Sequence, residues 1–403
     1  MAYDPYNESH SNGPKFFIIL FLFCIGSFII WFINHEDDPE RKKIADYFDG
    51  ITGQVSDIEV KMEGTNYHYY QLSIDQQEVY KALYNGCKNY EPVISIKSIE
   101  NSDCEKAIFA FRNDHPEFTW VHNTMYTSST MQGKTSKISF TIEDEDRTKM
   151  ELLEKKADEI LRAAPQGDYE KVKYIYEYIV NTTDYDINAE DNQSAYSALI
   201  NHVSVCGGYS SAFLYLCDRA GIYCGYVSGD IKNRGLHAWN FVKIKDKYYW
   251  VDVTWGDPTY ENLLDKPEDI IYDFLCVKDE DILGERILSN NIEYSEYQPY
   301  MTFTYPTCTD NSLNYYVKSG TYFETYDRLR LYNAIVLHMR ELGKKQFVLK
   351  FANKDAWDKA IADLFEKNYY WTNLVDALKK RKINVKNEVL LVEDLYHVIV
   401  YYE

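Results

Sequence analysis

The 403-residue sequence predicts an α+β protein in which a helix carrying a cysteine packs on an antiparallel sheet. A hydrophobic segment precedes this core and a small α/β unit follows it. Three observations support the prediction. Residues 16–33 carry no charge, residues 206–220 place apolar side chains on one helical face, and residues 236–254 alternate like two strands joined by a tight turn.

The composition is that of a globular protein and excludes several classes. Apolar residues make up 45% of the chain and charged residues 26%, so the chain is neither disordered nor collagen-like. The formal net charge is −20, and no long basic run offsets it. The sequence therefore lacks the source of affinity of a nucleic-acid-binding protein, and we expect no nucleic-acid partner.

Residues 1–34 are predicted to be a short tail followed by a membrane anchor at 16–33. The anchor has eighteen uncharged residues, and as a helix it would reach about 27 Å, close to the hydrocarbon thickness of a bilayer. A cleavable signal peptide has a shorter apolar core and a small-residue cleavage site, which the sequence after Phe32 lacks. We expect an uncleaved single span, with a cleaved signal as the alternative.

Two segments separate the anchor from the core. Residues 35–65 are charged and contain glycine, which is typical of a stalk or linker. Residues 66–144 are predicted to form an N-terminal α+β segment. Its predicted helices are 73–87 and 102–111, and its predicted strands are 92–96, 119–126 and 137–142.

Residues 145–300 are predicted to contain the core, which opens with helices at 145–164 and 168–180. Residues 301–403 are predicted to form a separate α/β module without a catalytic motif. We expect this module to pack on the core or to bind a cell-surface or wall partner. Its predicted strands are 314–318, 346–351 and 396–402, and its predicted helices are 326–342 and 354–365.

Cys206 is predicted to lie at the N-terminus of a helix that ends at Gly221. There the unsatisfied backbone N–H groups and the helix dipole favour an anionic thiol. Gly207 and Gly208 are expected to leave space for the backbone of a substrate. Because a thiolate is a nucleophile, this position suits covalent catalysis.

His237 and Asp252 can be placed by pairing the two strands that flank residues 245–246. If these two residues form the turn, His237 lies opposite Thr254, and Asp252 is one diagonal step away on the same face, at about 7–8 Å between α-carbons. Asp252 could then orient the imidazole while His237 activates Cys206. The two strands are predicted at 236–244 and 248–254.

At these residues the sequence resembles the transglutaminase-like superfamily, through the motifs HAWN at His237 and DVTW at Asp252. The resemblance is close over 195–257 and loose over 145–300. It implies a papain-like core with Cys206 as nucleophile, His237 as base and Asp252 as orienting acid. Gly207 departs from the family, since many relatives have a polar residue after the cysteine.

The order of anchor, N-terminal segment, core and C-terminal unit resembles that of bacterial membrane-anchored members of the family. Counting basic residues around the span leans toward a cytoplasmic C-terminal bulk, whereas the short N-terminal tail is the easier part to leave in the cytoplasm. Mostly on the resemblance, we expect a single-pass cell-membrane protein whose bulk is extracytoplasmic.

Several other residues are weaker candidates for the site. Gly207, Gly208, Tyr209, Trp239 and Trp255 are candidates for substrate binding or for the oxyanion hole, and the three aromatic residues are equally well explained as core. The acidic residues between 257 and 269 match no EF-hand spacing. We therefore predict no metal and no other cofactor.

The resemblance implies chemistry on peptide amides or on Gln and Lys amides through a thioester. Hydrolysis by water would make the protein a peptidase, which we favour because water is always available, whereas a transferase must hold an amine and exclude water. Cross-linking of proteins is the first alternative. A non-catalytic cell-surface binding module with the same fold is the second.

Overall fold

The computed structural model describes residues 62, 64–123, 125–129, 133–257, 270–289, 303–338, 346–380 and 385–402. The described residues 64–94 and those from 98 onward belong to one compact unit. The predicted anchor and most of the predicted stalk lie outside the described residues. Within the described ranges, no helix combines the length and the apolar character needed to cross a membrane.

The N-terminal α+β segment begins with a helix that starts where the sequence predicts. Ser73 caps helix α1, because its side chain accepts from the Gln76 backbone N–H while the Gln76 side chain accepts from the Ser73 N–H. The strand predicted at 119–126 is wrong in its first half, which is a short helix. The elements are α1 (Ile74–Lys88), β1 (Val93–Glu100), α2 (Asn101–Asp114), α3 (Trp120–Asn123), β2 (Met125–Ser129) and β3 (Lys134–Phe140).

Two amphipathic helices then lead to the central helix, α6. Helices α4 (Asp144–Arg162) and α5 (Asp168–Thr182) confirm the predicted pair within two residues at each end. Between α5 and α6 lie β4 (Asp184–Tyr185), a π-helical turn (Ser197–Asn201) and β5 (Val203–Ser204). Strand β4 pairs in parallel with β5, which brings the chain to the start of α6.

Helix α6 (Cys206–Arg219) is the centre of the core. Val205 is its N-cap, and Gly221 follows its end with a φ of +74°, so both predicted boundaries are confirmed. Nearly every side chain of the helix is buried, against α4 and α5 on one side and the large sheet on the other. A helix buried on all sides holds its first residue in a fixed place relative to the sheet.

The large sheet is antiparallel throughout, in the order β10–β6–β7–β8–β9. The turn between β7 and β8 consists of Lys245 and Asp246, both with positive φ, as a two-residue turn with right-handed strand twist requires. The predicted register is therefore confirmed, with Ile244 opposite Lys247. The strands are β6 (Tyr223–Ile231), β7 (Gly235–Ile244), β8 (Lys247–Val251), β9 (Leu275–Val277) and β10 (Arg286–Leu288).

The end of the second predicted strand is wrong. Strand β8 stops at Val251, and Thr254–Gly256 form a 3₁₀ turn, so Thr254 does not pair with His237. The chain leaves the ladder at Asp252, whose backbone N–H donates to the Phe274 carbonyl. This turn moves Asp252 from the strand to the end of the sheet.

The C-terminal residues form a second sheet, in the order β11–β12–β14–β13. The strand predicted at 314–318 is wrong, since Asn314 caps a short helix by accepting from the Tyr316 N–H. A helix and a strand between 370 and 392 were not predicted. The elements are α7 (Asp279–Ile282) before this region, then α8 (Tyr315–Ser319), β11 (Tyr322–Phe323), α9 (Arg328–His338), β12 (Gln346–Phe351), α10 (Lys354–Ile361), a π-helical turn (Ala362–Glu366), α11 (Tyr370–Lys380), β13 (Val385–Val392) and β14 (His397–Tyr402).

The second sheet packs on the first. Ile399 and Tyr401 of β14 lie in the same buried cluster as Trp239 and Trp250 of the large sheet. The other face of the second sheet has a core of its own with helices α9 to α11. The module therefore shares a buried cluster with the core, and its binding of a partner stays a prediction.

Replacing Gly225 with Ala should destabilise the fold. Gly225 lies opposite Phe241 in the β6–β7 ladder, and an added Cβ would come within 2.3 Å of the Phe241 ring. Overpacking of this kind costs about 1–3 kcal/mol of unfolding free energy. Urea unfolding would measure the loss. Gly284→Ala is the matched control and should be neutral, because no atom of the described residues lies within 4 Å of its added Cβ.

Candidate active site

Cys206 is the first residue of α6, and its free thiol is half-buried. The backbone N–H groups of Gly208 and Tyr209 both donate to the Val205 carbonyl, which begins the helix. The position predicted for Cys206 is therefore confirmed. The other six described cysteines are buried, and none of the seven forms a disulfide; the six are Cys87, Cys104, Cys217, Cys224, Cys276 and Cys308.

His237 lies on β7, opposite Gly229 of β6, and only 5% of it is exposed. Its ring stacks on Trp239, with 5.9 Å between ring centroids and 20° between planes. Its Nε2 lies 2.8 Å from Oδ2 of Asp252. His237 and Asp252 are therefore neighbours, as the sequence predicts. Asp252 reaches His237 from the residue after β8, however, and not from a position within the strand pair.

Asp252 is completely buried, and each of its oxygens has a partner. Oδ1 accepts from the Trp255 backbone N–H at 3.3 Å, a contact made by the 3₁₀ turn. Oδ2 accepts from His237 and from Arg286. The 3₁₀ turn thus brings the Trp255 backbone N–H back to the carboxylate of Asp252, three residues earlier in the chain.

Arg286 is the residue that sequence reasoning missed. Its Nε and Nη2 donate to Oδ2 of Asp252 at 2.9 and 2.6 Å, and only 2% of the residue is exposed. The guanidinium lies over the rings of Trp255 and Phe274, at 4.8 and 4.7 Å from their centroids. The only sign of Arg286 in the sequence is a cationic residue next to apolar residues in a short segment. A buried carboxylate such as Asp252 needs a cationic partner of this kind.

The charges of this cluster set its protonation. Burial alone would raise the pKa of Asp252, but His237 and Arg286 lower that pKa to about 2. Burial alone would lower the pKa of His237, but the charge and hydrogen bond of Asp252, followed by a hydrogen bond with the Cys206 side chain, raise that pKa to about 9. The carboxylate is therefore ionised and the imidazole protonated at neutral pH.

The contribution of the Cys206 side chain to the pKa of His237 means that the two side chains are neighbours. Because Asp252 occupies Nε2, Nδ1 is the ring nitrogen left for the sulfur. The side chains therefore follow one another in the order sulfur, imidazole, carboxylate and guanidinium. Such a series can hold a thiolate next to a proton donor.

Gly207 and Gly208 were predicted to leave space for the backbone of a substrate, but the space beside each glycine is occupied. A Cβ on Gly207 would lie 2.0 Å from Oε1 of Gln193, and one on Gly208 would lie 1.8 Å from Oγ of Ser204. The space beside each glycine is filled by a polar side chain of the protein itself. The two glycines let the 192–204 connection approach the first turn of α6.

The three aromatic candidates, Tyr209, Trp239 and Trp255, differ in their contacts with His237 and Asp252. Tyr209 is fully buried, as in a core position, and its hydroxyl lies 2.7 Å from the Thr183 carbonyl oxygen and 2.9 Å from Oδ2 of Asp257. Trp239 is also fully buried and forms the wall on which the His237 ring stacks. Trp255 contacts Asp252 through its backbone and Arg286 through its ring.

Among the described residues, no group of three or more His, Cys, Asp and Glu side chains is arranged to hold a metal ion. Most of the acidic residues between 257 and 269, which were compared with a calcium-binding EF-hand loop, lie outside the described ranges.

The model of the transglutaminase-like superfamily matches residues 155–254. The chain contains a transglutaminase-like domain. The matched range includes Cys206, His237 and Asp252, and it covers α6 and strands β6 to β8. The mixed α+β architecture predicted for this domain is confirmed.

Two curated relatives are the kyphoscoliosis peptidases of Homo sapiens and Mus musculus. The human protein is 29% identical over 130 residues, which are 28% of this chain and 20% of the relative. The mouse protein is 31% identical over 106 residues, which are 22% of this chain and 16% of the relative. The alignments thus span about a fifth of the relatives' length.

Two solved structures have a weak overall likeness to the chain. A structure of a TGase is 13% identical, with a TM-score of 0.25, over 43% of this chain and 47% of that one. A candidate cysteine protease from Cytophaga hutchinsonii is 15% identical, with a TM-score of 0.23, over 32% and 61% of the two chains.

Titration of His237 tests the electrostatics of the transglutaminase-like domain. In an NMR titration the His237 ring should have a midpoint near 9. Asp252→Asn should move the midpoint below about 6.5, the value of a free histidine. The variant loses the largest stabilisation of the imidazolium, while burial and the Arg286 cation still oppose protonation. Asp246→Asn, on the exposed turn of the same hairpin, is the matched control and should leave the midpoint unchanged.

The same shift predicts how stability depends on pH. Because the folded pKa of His237 lies above that of the unfolded chain, its contribution to the free energy of unfolding is fully present below about pH 6.5 and is lost as the pH rises through about 9.

In the NMR titration, a midpoint near 6 for the His237 ring of the wild type would contradict the ion pair of His237 with Asp252.

Proposed function

We propose that this chain is a thiol enzyme that acts on protein or peptide amides through a thioester acyl-enzyme. Cys206 is the nucleophile, His237 the acid and base, and Asp252 the acid that orients the imidazole. One observation carries the proposal. A half-buried thiol at a helix N-terminus interacts with a histidine, whose pKa it helps to raise and whose Nε2 contacts a buried carboxylate.

The reaction runs in two steps. The thiolate of Cys206 attacks the amide carbonyl carbon, and a C–S bond forms as the carbonyl π electrons move to oxygen. The C–N bond then breaks, and His237 gives its proton to the leaving amine. In the second step water attacks the thioester, His237 takes a proton from the water, and the C–S bond breaks to release a carboxylic acid.

Hydrolysis is the outcome that we favour over cross-linking. Water reaches any open cleft, whereas amine transfer requires a site that holds the amine and excludes water. The two curated relatives are named peptidases, which supports the same choice. Because the alignments span only about a fifth of those proteins, their whole activity is not transferred to this chain.

We also propose that residues 16–33 anchor the enzyme in the cell membrane, with the bulk of the chain extracytoplasmic. The support is the sequence alone, since a run of eighteen uncharged residues matches the thickness of a bilayer. An anchored enzyme would act on substrates close to the membrane surface.

Replacing Cys206 with Ala should abolish hydrolysis and acyl-enzyme formation, because no other side chain of the site can form the thioester. Incubation with a peptide library followed by mass spectrometry should find an acyl adduct on Cys206 of the wild type and none on the variant. Cys217→Ala, a buried thiol on the same helix, is the matched control and should keep the adduct.

Two outcomes would contradict this assignment. Labelling that persists in Cys206→Ala would place the nucleophile elsewhere, and a wild type without any adduct would favour a binding module. Addition of a primary amine separates the two enzymatic alternatives. Products that consist only of amine conjugates, with no free acid, would identify a cross-linking enzyme and not a peptidase.

Removal of residues 1–34 should release the protein from membranes. The full chain should resist extraction with alkaline carbonate, because burial of the apolar run holds it in the bilayer. The truncated chain should be found in the soluble fraction. Arg41→Glu in the full chain is a control for electrostatic attachment and should leave the protein in the membrane. Carbonate extraction of the full chain would contradict the anchor.

Protease added to intact cells tests the orientation. Digestion of the C-terminal bulk from outside would agree with an extracytoplasmic location. Protection of the bulk in intact cells, with digestion after lysis, would overturn it.

A further inference from the structure

An amide side chain occupies the space beside the nucleophile. A Cβ added to Gly207 would lie 2.0 Å from Oε1 and 3.2 Å from Cδ of Gln193. Gly207 immediately follows Cys206, so the Gln193 amide reaches the first turn of α6 next to the sulfur-bearing residue. The hydroxyl of Tyr226, on β6, lies 3.6 Å from the same point.

The backbone on the N-terminal side of Gln193 is fixed to the start of α6. The Asn192 carbonyl accepts from the Val205 N–H at 3.0 Å and from the Ser204 hydroxyl at 2.7 Å. Val205 is the residue before Cys206 and caps its helix. These hydrogen bonds fix the residue before Gln193 to the two residues that precede Cys206.

The backbone on the C-terminal side is fixed as well. The Ser194 carbonyl accepts from the Ser197 hydroxyl at 2.7 Å, and the Ser194 hydroxyl accepts from the Ser197 N–H at 3.1 Å. Ser194 and Ser197 are buried, whereas Gln193 between these anchored segments is exposed. An exposed side chain on an anchored backbone is both available to a substrate and limited in the positions it can take.

The thioester mechanism needs a donor at this place. When the thiol attacks, negative charge develops on the carbonyl oxygen, and fixed N–H donors stabilise that charge more strongly than they stabilise the neutral carbonyl. The backbone N–H of Cys206 can supply one donor. A second donor must lie beside the first turn of the helix, where the substrate carbonyl meets the sulfur.

We infer that Gln193 is this second donor, and that its amide NH2 hydrogen-bonds to the oxyanion formed by attack of Cys206. The inference rests on the proposed function. Gln193 stays neutral throughout and transfers no proton, because it acts only as a hydrogen-bond donor. Its NH2 is attached to the same carbon as the oxygen that lies against Gly207, so rotation of the amide brings the donor to the same space.

This assignment explains Gly207. The sequence departs here from relatives that have a polar residue after the cysteine. In this chain the polar group beside the nucleophile comes from position 193, and any side chain at 207 would displace it. The glycine and the glutamine are therefore expected to function as a pair.

Gln193→Ala tests the inference through two reactions of the same thiol. Hydrolysis of a peptide amide should lose about 10²–10³-fold in kcat with little change in KM, as removal of one oxyanion donor typically gives. Alkylation of Cys206 by iodoacetamide should keep its wild-type rate, because displacement at a saturated carbon creates no oxyanion. Asn188→Ala, an exposed amide in the same connection, is the matched control and should keep both rates.

A second variant approaches the pair from the other side. Gly207→Ala keeps Gln193 but places a Cβ where its amide lies, so kcat should fall while alkylation is unchanged. Wild-type kcat in Gln193→Ala would overturn the inference. Equal losses of hydrolysis and alkylation would also overturn it, because they would indicate a disturbed thiol. Hydrolysis that survives Cys206→Ala would instead refute the proposed function.

Discussion

The site depends on one buried carboxylate. Asp252 has no access to water, and removal of an ion from water costs several kcal/mol unless partners compensate it. The compensation comes from three places in the chain: His237 on β7, Arg286 on β10 and the Trp255 N–H in the 3₁₀ turn. The charge of Asp252 is therefore satisfied only when the whole large sheet has formed, which links the geometry of the site to folding of the sheet.

A second buried carboxylate extends this network to the C-terminal sheet. Asp273 precedes Phe274, whose carbonyl accepts the Asp252 N–H. His397 on β14 lies 2.7 Å from Asp273, and Lys350 on β12 also pairs with it. Burial would raise the pKa of Asp273, but these two partners hold it below its usual range. A module without a catalytic motif therefore braces the segment that holds Asp252.

The sequence was sufficient where the signals are local. A two-residue turn with alternating flanks predicts the β7–β8 register, and a helix that starts at Cys206 follows from its apolar face and from Gly221. Arg286 could not be predicted, because a three-residue strand has no usable period and its partner lies far away in the chain. Gly207 is a second residue whose role could not be predicted. A glycine is consistent with a position that has no room for a Cβ, but the sequence does not tell that Gln193 fills that room.

The protonation of the cluster changes the role of His237 at the start of the reaction. With a pKa of about 9 the imidazole is already protonated at neutral pH, so it cannot remove a proton from a neutral thiol. The thiolate form of Cys206, which is the form that attacks, therefore reacts beside an imidazolium. Asp252, whose pKa is about 2, stays ionised and keeps the imidazolium in place. His237 then acts first as the acid that protonates the leaving amine, and it becomes a base only after that proton is gone.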